Sequence, residues 1–193
     1  MGLIDAFKNY KKLSYDIDEI NIEEAIELIT KKFKESKKNE IIIVNIGTDK
    51  SIGDSYGPFC GSFLKEKLYS FPVYGTLENP IHALNLESKL GQIKDKHNNA
   101  FIIALDACAT KKKNSLNKIL IENKPIQPGE GVDKELTRVG DLSIKYVCCV
   151  YNSFTIDNLQ NFNLGTIYKA VRNTYTILNK LEDSIIRTKE VKS

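Results

Sequence analysis

Two short runs of this sequence are apolar at almost every position, and they constrain the fold more than any other feature. They are "EIIIVNIG" at residues 40–47 and "AFIIALDA" at residues 100–107. A strand with one face in water alternates apolar and polar residues, whereas a strand covered on both faces is apolar throughout. The two runs therefore predict buried strands of a parallel sheet that carries helices on both faces.

Helices and strands alternate along the rest of the chain. The clearest helix covers residues 21–36, where Ile22, Ile26, Ile29 and Phe33 recur at helical spacing. Acidic residues come early in this segment and lysines late, as the helix dipole prefers. The other predicted elements are a helix from Pro58 to about Tyr69, a weak strand at 72–77, a helix at 82–94, strands at 118–122 and 142–151, and a helix at 158–182.

This order of elements predicts one α/β domain with a mainly parallel sheet over residues 21–193. Residues 1–20 show mixed periodicity, and we expect them to form a loosely attached lead-in. A chain of 193 residues with 41% hydrophobic content can build one sizeable core. No internal repeat, linker or low-complexity segment marks a second domain.

The charge and cysteine content narrow the class of protein. Lys and Arg number 28 against 25 Asp and Glu, and the charges are interspersed, so neither a nucleic acid nor a membrane surface is expected as a partner. The 4 cysteines form no CxxC pair, which favours free thiols in a reducing compartment. No signal peptide and no run of about 20 apolar residues is present, so we expect a soluble cytoplasmic protein.

A glycine-rich loop, "GTDKSIGDSYGP" at residues 47–58, follows the first buried strand. It matches neither GxGxxG nor GxxxxGK[ST], and we therefore expect no nucleotide cofactor there. The loop carries Asp54, and Asp106 ends the second buried strand. In open α/β sheets, functional sites form at the carboxyl ends of the strands. The loop is thus predicted to be one wall of a crevice.

If the two buried strands are neighbours, Asp54 and Asp106 face each other across this crevice. Two close carboxylates cannot both ionise cheaply, so one holds a proton while the other acts as a base. Such a pair can activate water against a carbonyl group. An aspartate before a helix or at a strand end is also a common cap or turn residue, and that structural interpretation stays open for both.

Four segments together resemble the sporulation protein family of the YyaC type: "GTDKSIGDSYGP", "VYGTLENPIHALNL", "ALDACAT" and "PGEGVDKELTRVGDLSI". The resemblance runs from about Ile41 to the last helix. That family is similar to the germination protease of spore-forming bacteria and, more distantly, to the hydrogenase maturation proteases. It implies a three-layer α/β/α fold of the phosphorylase/hydrolase kind, and a place in the sporulating cell or spore core.

The same resemblance implies the roles of particular residues. "GDSYGP" is similar to the "PDALGP" of the germination protease and "LDA" to its "VDA", which makes Asp54 and Asp106 the expected catalytic pair. "PGEGVDK" is similar to its "PGSGVGN", so Gly129 and Gly131 are expected to let the backbone approach a substrate, with Lys134 at the edge. The implied activity is peptide-bond hydrolysis, with small acid-soluble spore proteins among the possible substrates.

Several alternatives remain at this point. His82 follows an Asn-Pro turn and is either a structural residue or a substrate-binding residue at the rim of the crevice. Cys108 and His82 could instead form a nucleophile pair. Maturation proteases sense nickel with a histidine after the second aspartate, but both histidines here precede Asp106, so no metal is expected. The rival functions are a non-catalytic protein that binds a peptide or partner on the same fold and a metal-sensing maturation-type peptidase.

Overall fold

The computed structural model describes residues 11–68, 70–128, 137–150 and 163–190, without the side chains of residues 188–190. Within these ranges, six strands form one sheet in the order β1-β5-β6-β4-β2-β3. The strands are β1 (Lys12–Asp16), β2 (Glu40–Asn45), β3 (Val73–Tyr74), β4 (Ala100–Thr110), β5 (Lys118–Glu122) and β6 (Leu142–Val150). Strands β6, β4, β2 and β3 run parallel to one another, whereas β5 is antiparallel to both β6 and β1. The predicted mainly parallel sheet is confirmed.

Helices cover both faces of this sheet, and the result is the predicted three-layer α/β/α arrangement. The helices are α1 (Ile22–Ser36), α2 (Tyr56–Lys65), α3 (Leu86–Lys96) and α4 (Leu164–Glu190). Along β2, Ile41 and Ile43 belong to the core that packs on α1, α2 and α4. Ile42 and Val44 belong to a second core, which packs on α3. Both sides of β2 are buried, and this explains why the strand lacks polar alternation.

The prediction of a loose N-terminal lead-in is wrong for residues 12–17. Lys12–Asp16 form the edge strand β1, which pairs with β5, and Ile17 follows directly. Leu13, Tyr15 and Ile17 are buried, while the side chains between them are exposed. This alternation is typical of an edge strand with one face on the core. Residues 1–10 lie outside the described ranges.

The other element boundaries differ from the predictions by a few residues. Helix α4 begins at Leu164 and extends to Glu190, beyond the predicted end at 182, and β4 continues to Thr110 rather than ending at 107. Residues 158–162, predicted to be helical, lie outside the described ranges. None of the helices seen in the described part of the chain is both long and apolar enough to cross a membrane.

Candidate functional site

A cleft opens where β2 ends and its neighbour β4 continues. The last residue pair between these strands is Asn45 with Leu105, and Asp106 follows directly, still paired with β6. The cleft has a volume of about 890 Å³. We call it the aspartate cleft, and it is lined by Ile46, Gly47, Asp54, His82, Ala83, Asp106, Ala107, Cys108, Ala109, Lys124, Pro125, Ile126, Gln127, Pro128, Arg138 and Lys145. The structure thus brings the two predicted catalytic aspartates into one cleft.

The glycine loop turns back on itself to place Asp54 at the cleft. The Thr48 N–H donates a hydrogen bond of 3.2 Å to the backbone carbonyl oxygen of Asp54. Gly47 has a φ of +139°, and a Cβ atom at this position would lie 2.2 Å from that same carbonyl oxygen. Only glycine permits both this conformation and this approach. The role of Gly47 is therefore to let the chain fold closely around Asp54.

A second loop brings His82 to the same wall. The Gly47 N–H donates to the carbonyl oxygen of Ile81 at 2.8 Å, and Ile46 and Ile81 form an isolated parallel bridge. The His82 N–H in turn donates to Oδ1 of Asn85 at 2.9 Å, which fixes the start of α3. These bonds attach the His82 loop to the loop that carries Asp54. His82 is half-buried, and it weakly opposes the rise that burial causes in the pKa of Asp54.

The two aspartates interact electrostatically. Burial raises the pKa of Asp106 well above its ordinary value of 3.8, and the nearby charge of Asp54 raises it further. The backbone of Ala107 and the ammonium of Lys145 act in the opposite direction but more weakly. Burial also raises the pKa of Asp54, against a hydrogen bond from the Thr48 backbone. Both carboxyl groups therefore favour the protonated form more than aspartates in water do.

Three of the predicted substrate-binding residues cannot be compared with the structure. Gly129, Gly131 and Lys134 lie outside the described residues, and their predicted role in substrate binding stays a prediction. The chain on either side of them does line the aspartate cleft, at Pro128 and Arg138. Within the described ranges, no group of three or more His, Cys, Asp or Glu residues is placed to hold a metal ion.

Cys108 does line the aspartate cleft together with His82. Burial raises the pKa of the Cys108 thiol to about 11, so the thiol stays protonated at neutral pH. Because the thiolate is the nucleophile, this environment disfavours the Cys108–His82 pair as a catalytic unit.

Sequence reasoning missed a group of basic residues in the aspartate cleft. Lys145 lies directly opposite Asp106 in the β4–β6 pairing, and its ammonium forms an ion pair with Glu122 on β5. The Glu122 side chain is only 2% exposed and also pairs with Lys12 at 3.3 Å. Lys124 and Arg138 complete the basic lining. The available signal was Lys145 itself, the only charged residue within an otherwise apolar predicted strand.

Comparison with known proteins assigns the chain to a family. The family model described as "Protein of unknown function (DUF1256)" matches residues 13–176. The chain belongs to this family. A DUF1256-type relative, the uncharacterised protein YyaC of Bacillus subtilis (strain 168), is 36% identical over 167 residues, which span 86% of this chain and 81% of the relative. The predicted resemblance to the YyaC type is confirmed.

A solved structure is also similar to this DUF1256 chain. It is a [NiFe] hydrogenase maturation protease, HycI, from Thermococcus kodakarensis KOD1, with a TM-score of 0.49 and 17% sequence identity. The match covers 78% of this chain and 99% of the protease.

The raised pKa values in the aspartate cleft predict how stability depends on pH. Above pH 3.8 the unfolded chain releases the Asp106 proton, whereas the folded chain retains it until the pH reaches the raised pKa. Protonated Asp106 therefore stabilises the folded state fully below pH 3.8, and this stabilisation is lost as pH rises through the folded-state pKa. The free energy of unfolding falls by about 1.4 kcal/mol per pH unit for one fully retained proton. Asp106→Asn removes this dependence.

Melting temperatures of wild type and Asp106→Asn, measured from pH 3.5 to 8, test this expectation. The wild type should lose stability relative to the variant as pH rises. Asp95→Asn is the matched control, because Asp95 is exposed on α3, away from the aspartate cleft. A difference between wild type and Asp106→Asn that stays constant with pH would contradict the shared-proton interpretation.

Proposed function

We propose that this chain is a sporulation-associated peptidase that uses Asp54 and Asp106 to activate water for peptide-bond hydrolysis. One observation carries the proposal: the loop after β2 and the neighbouring parallel strand β4 bring two aspartates into one cleft, where burial and the charge of Asp54 raise the pKa of Asp106. Such perturbed acidic pairs are typical of sites that need both an acid and a base. The association with sporulation comes from the resemblance of the four motifs to the YyaC-type family.

The two environments suggest which aspartate has which role. Asp106 has the more strongly raised pKa, with Asp54 and burial both acting on it, and so holds the shared proton. Asp54 is less shifted and has the charge of His82 beside it, so it serves as the base. Asp54 takes a proton from water, and the water oxygen attacks the peptide carbonyl carbon. Asp106 then gives its proton to the leaving nitrogen as the C–N bond breaks.

The proposed substrate lies along the aspartate cleft between two loops. His82 and Ala83 form part of one wall. Gly129, Gly131 and Lys134, which follow the cleft residue Pro128 in sequence, are proposed to contact the substrate backbone. The partner is then a peptide or protein, with small acid-soluble spore proteins as the first candidate.

A turnover assay tests the proposal. Purified protein is incubated with a small acid-soluble spore protein and with a peptide library, and the products are identified by mass spectrometry. We expect cleavage at defined peptide bonds, with the same rate after treatment with a chelator, because water is activated by carboxylates.

Two outcomes would contradict this function. A protein that cleaves no peptide would favour the non-catalytic binding protein on the same fold. A rate that falls with the chelator and returns with added metal would replace the aspartate pair by a metal-dependent mechanism.

A further inference from the structure

We propose that the aspartate cleft recognises a carboxylate of its peptide substrate, held by Lys124, Arg138 and Lys145. The inference rests on the proposed function, since it assumes that the occupant of the cleft is a peptide. It goes further by specifying the substrate class: a peptide with a carboxylate close to the bond that the aspartates attack.

The first argument is the placement of the three basic residues. All three line the same cleft as Asp54 and Asp106, yet they come from different parts of the chain. Lys124 follows β5, Arg138 precedes β6 and Lys145 lies within β6. The wall of the cleft on the β5–β6 side is therefore basic, whereas the opposite wall carries Asp54 and His82.

The second argument is the balance of charge. The buried Glu122 pairs with two of the three cleft cations, Lys124 and Lys145, and also with Lys12 on β1. The raised pKa values of Asp54 and Asp106 mean that the pair carries a single negative charge when it shares a proton. Among the residues that the structure describes, the three cleft cations thus exceed the charges of Glu122 and the aspartate pair by one. A partly enclosed cleft concentrates such an excess and attracts an anion.

The third argument is the way these cations are presented. The Lys145 side chain is only 20% exposed, and Glu122, at 2% exposed, holds it in the cleft wall. Arg138 is exposed and has no acidic partner among the residues that the structure describes. A guanidinium can bind a carboxylate through two parallel hydrogen bonds. Arg138 is therefore the residue whose loss should affect recognition with the least effect on folding.

A peptide carries a carboxylate in two ways, on an acidic side chain or at its C-terminus. Three synthetic probes separate these sources. The first is acetyl-Ala-Ala-Glu-Leu-Ala-amide. The second has Gln in place of Glu. The third has Gln in place of Glu and a free C-terminal carboxylate. Binding of each to the full chain is measured by NMR titration, and mass spectrometry of the same samples reports cleavage separately.

We expect at least one carboxylate probe to bind about tenfold more tightly than the neutral probe at low salt. This preference should decrease with added salt, because it is electrostatic. Arg138→Gln should lower it about threefold or more. Arg172→Gln is the matched control, since Arg172 is exposed on α4 and does not line the aspartate cleft, and it should leave the preference unchanged.

Equal binding of the three probes, or binding of none, would overturn the proposal. An equal loss of preference in Arg138→Gln and Arg172→Gln would also overturn it, because the effect would then come from net charge and not from the cleft. Tight binding of a carboxylate probe without any cleavage would support this inference while contradicting the peptidase function. The two proposals can therefore fail independently.

Discussion

Asp54→Asn and Asp106→Asn are each expected to lower kcat/KM for peptide hydrolysis by about a thousandfold or more. Asparagine keeps the size of the side chain but can neither accept the proton of the attacking water nor donate one to the leaving nitrogen. Both residues reach the same cleft from neighbouring strands, so each substitution disables the shared unit. The double variant should be little worse than either single variant.

The same variants should remain folded. Each substitution removes a carboxyl group whose ionised form is disfavoured by burial, so the melting temperature at neutral pH should be equal to or above that of the wild type. Asp95→Asn serves as the control for a general effect of charge. Full activity in Asp54→Asn would exclude the mechanism, and an additive loss in the double variant would show that the two residues act separately.

Gly57→Ala is expected to destabilise the fold by about 3 kcal/mol or more, which is large for a single methyl group. A Cβ atom at position 57 would lie 1.9 Å from the carbonyl oxygen of Ile46 and 2.8 Å from its carbonyl carbon. Both are backbone atoms at the end of the central strand β2, so no side chain can rotate to make room. The start of α2 would have to move away from β2, and Asp54 would move with it.

Urea unfolding monitored by circular dichroism measures this effect. Gly91→Ala is the matched control, because Gly91 lies in the exposed part of α3 and a Cβ there would meet nothing within 4 Å. That control should stabilise the protein by about 0.5–1 kcal/mol, since alanine favours a helix more than glycine does. A Gly57→Ala protein as stable as wild type would show that α2 does not need this close contact.

The sequence alone predicts those parts of the fold whose pattern lies within one short segment of the chain. The apolar runs identified β2 and β4 because burial on both faces removes the polar alternation, and the predicted position of Asp54 and Asp106 at their ends followed from that. That the two strands are neighbours could only be assumed from the sequence. The structure shows it, because β2 pairs directly with β4.

Other features depend on contacts between distant parts of the chain. Leu13, Tyr15 and Ile17 alternate over too few residues to mark a strand until β5 is known to lie beside them. The pairing of Lys145 with Glu122 likewise joins two strands whose adjacency the sequence does not state. A charged residue in an apolar strand signals a buried partner, but not which residue that partner is.

The ion pairs described above link the outer edge of the sheet to the aspartate cleft. Lys12 on β1 contacts Glu122 on β5, Glu122 contacts Lys145 on β6, and Lys145 lies against Asp106 on β4. Charges of opposite sign thus alternate over three successive strands, β1, β5 and β6, and the charges of Lys12 and Glu122 both act on the Cys108 thiol inside the cleft. A change at the outermost strand therefore alters the electric field in the aspartate cleft without touching a cleft residue. Remote surface substitutions on β1 become a means of tuning acidity in the cleft.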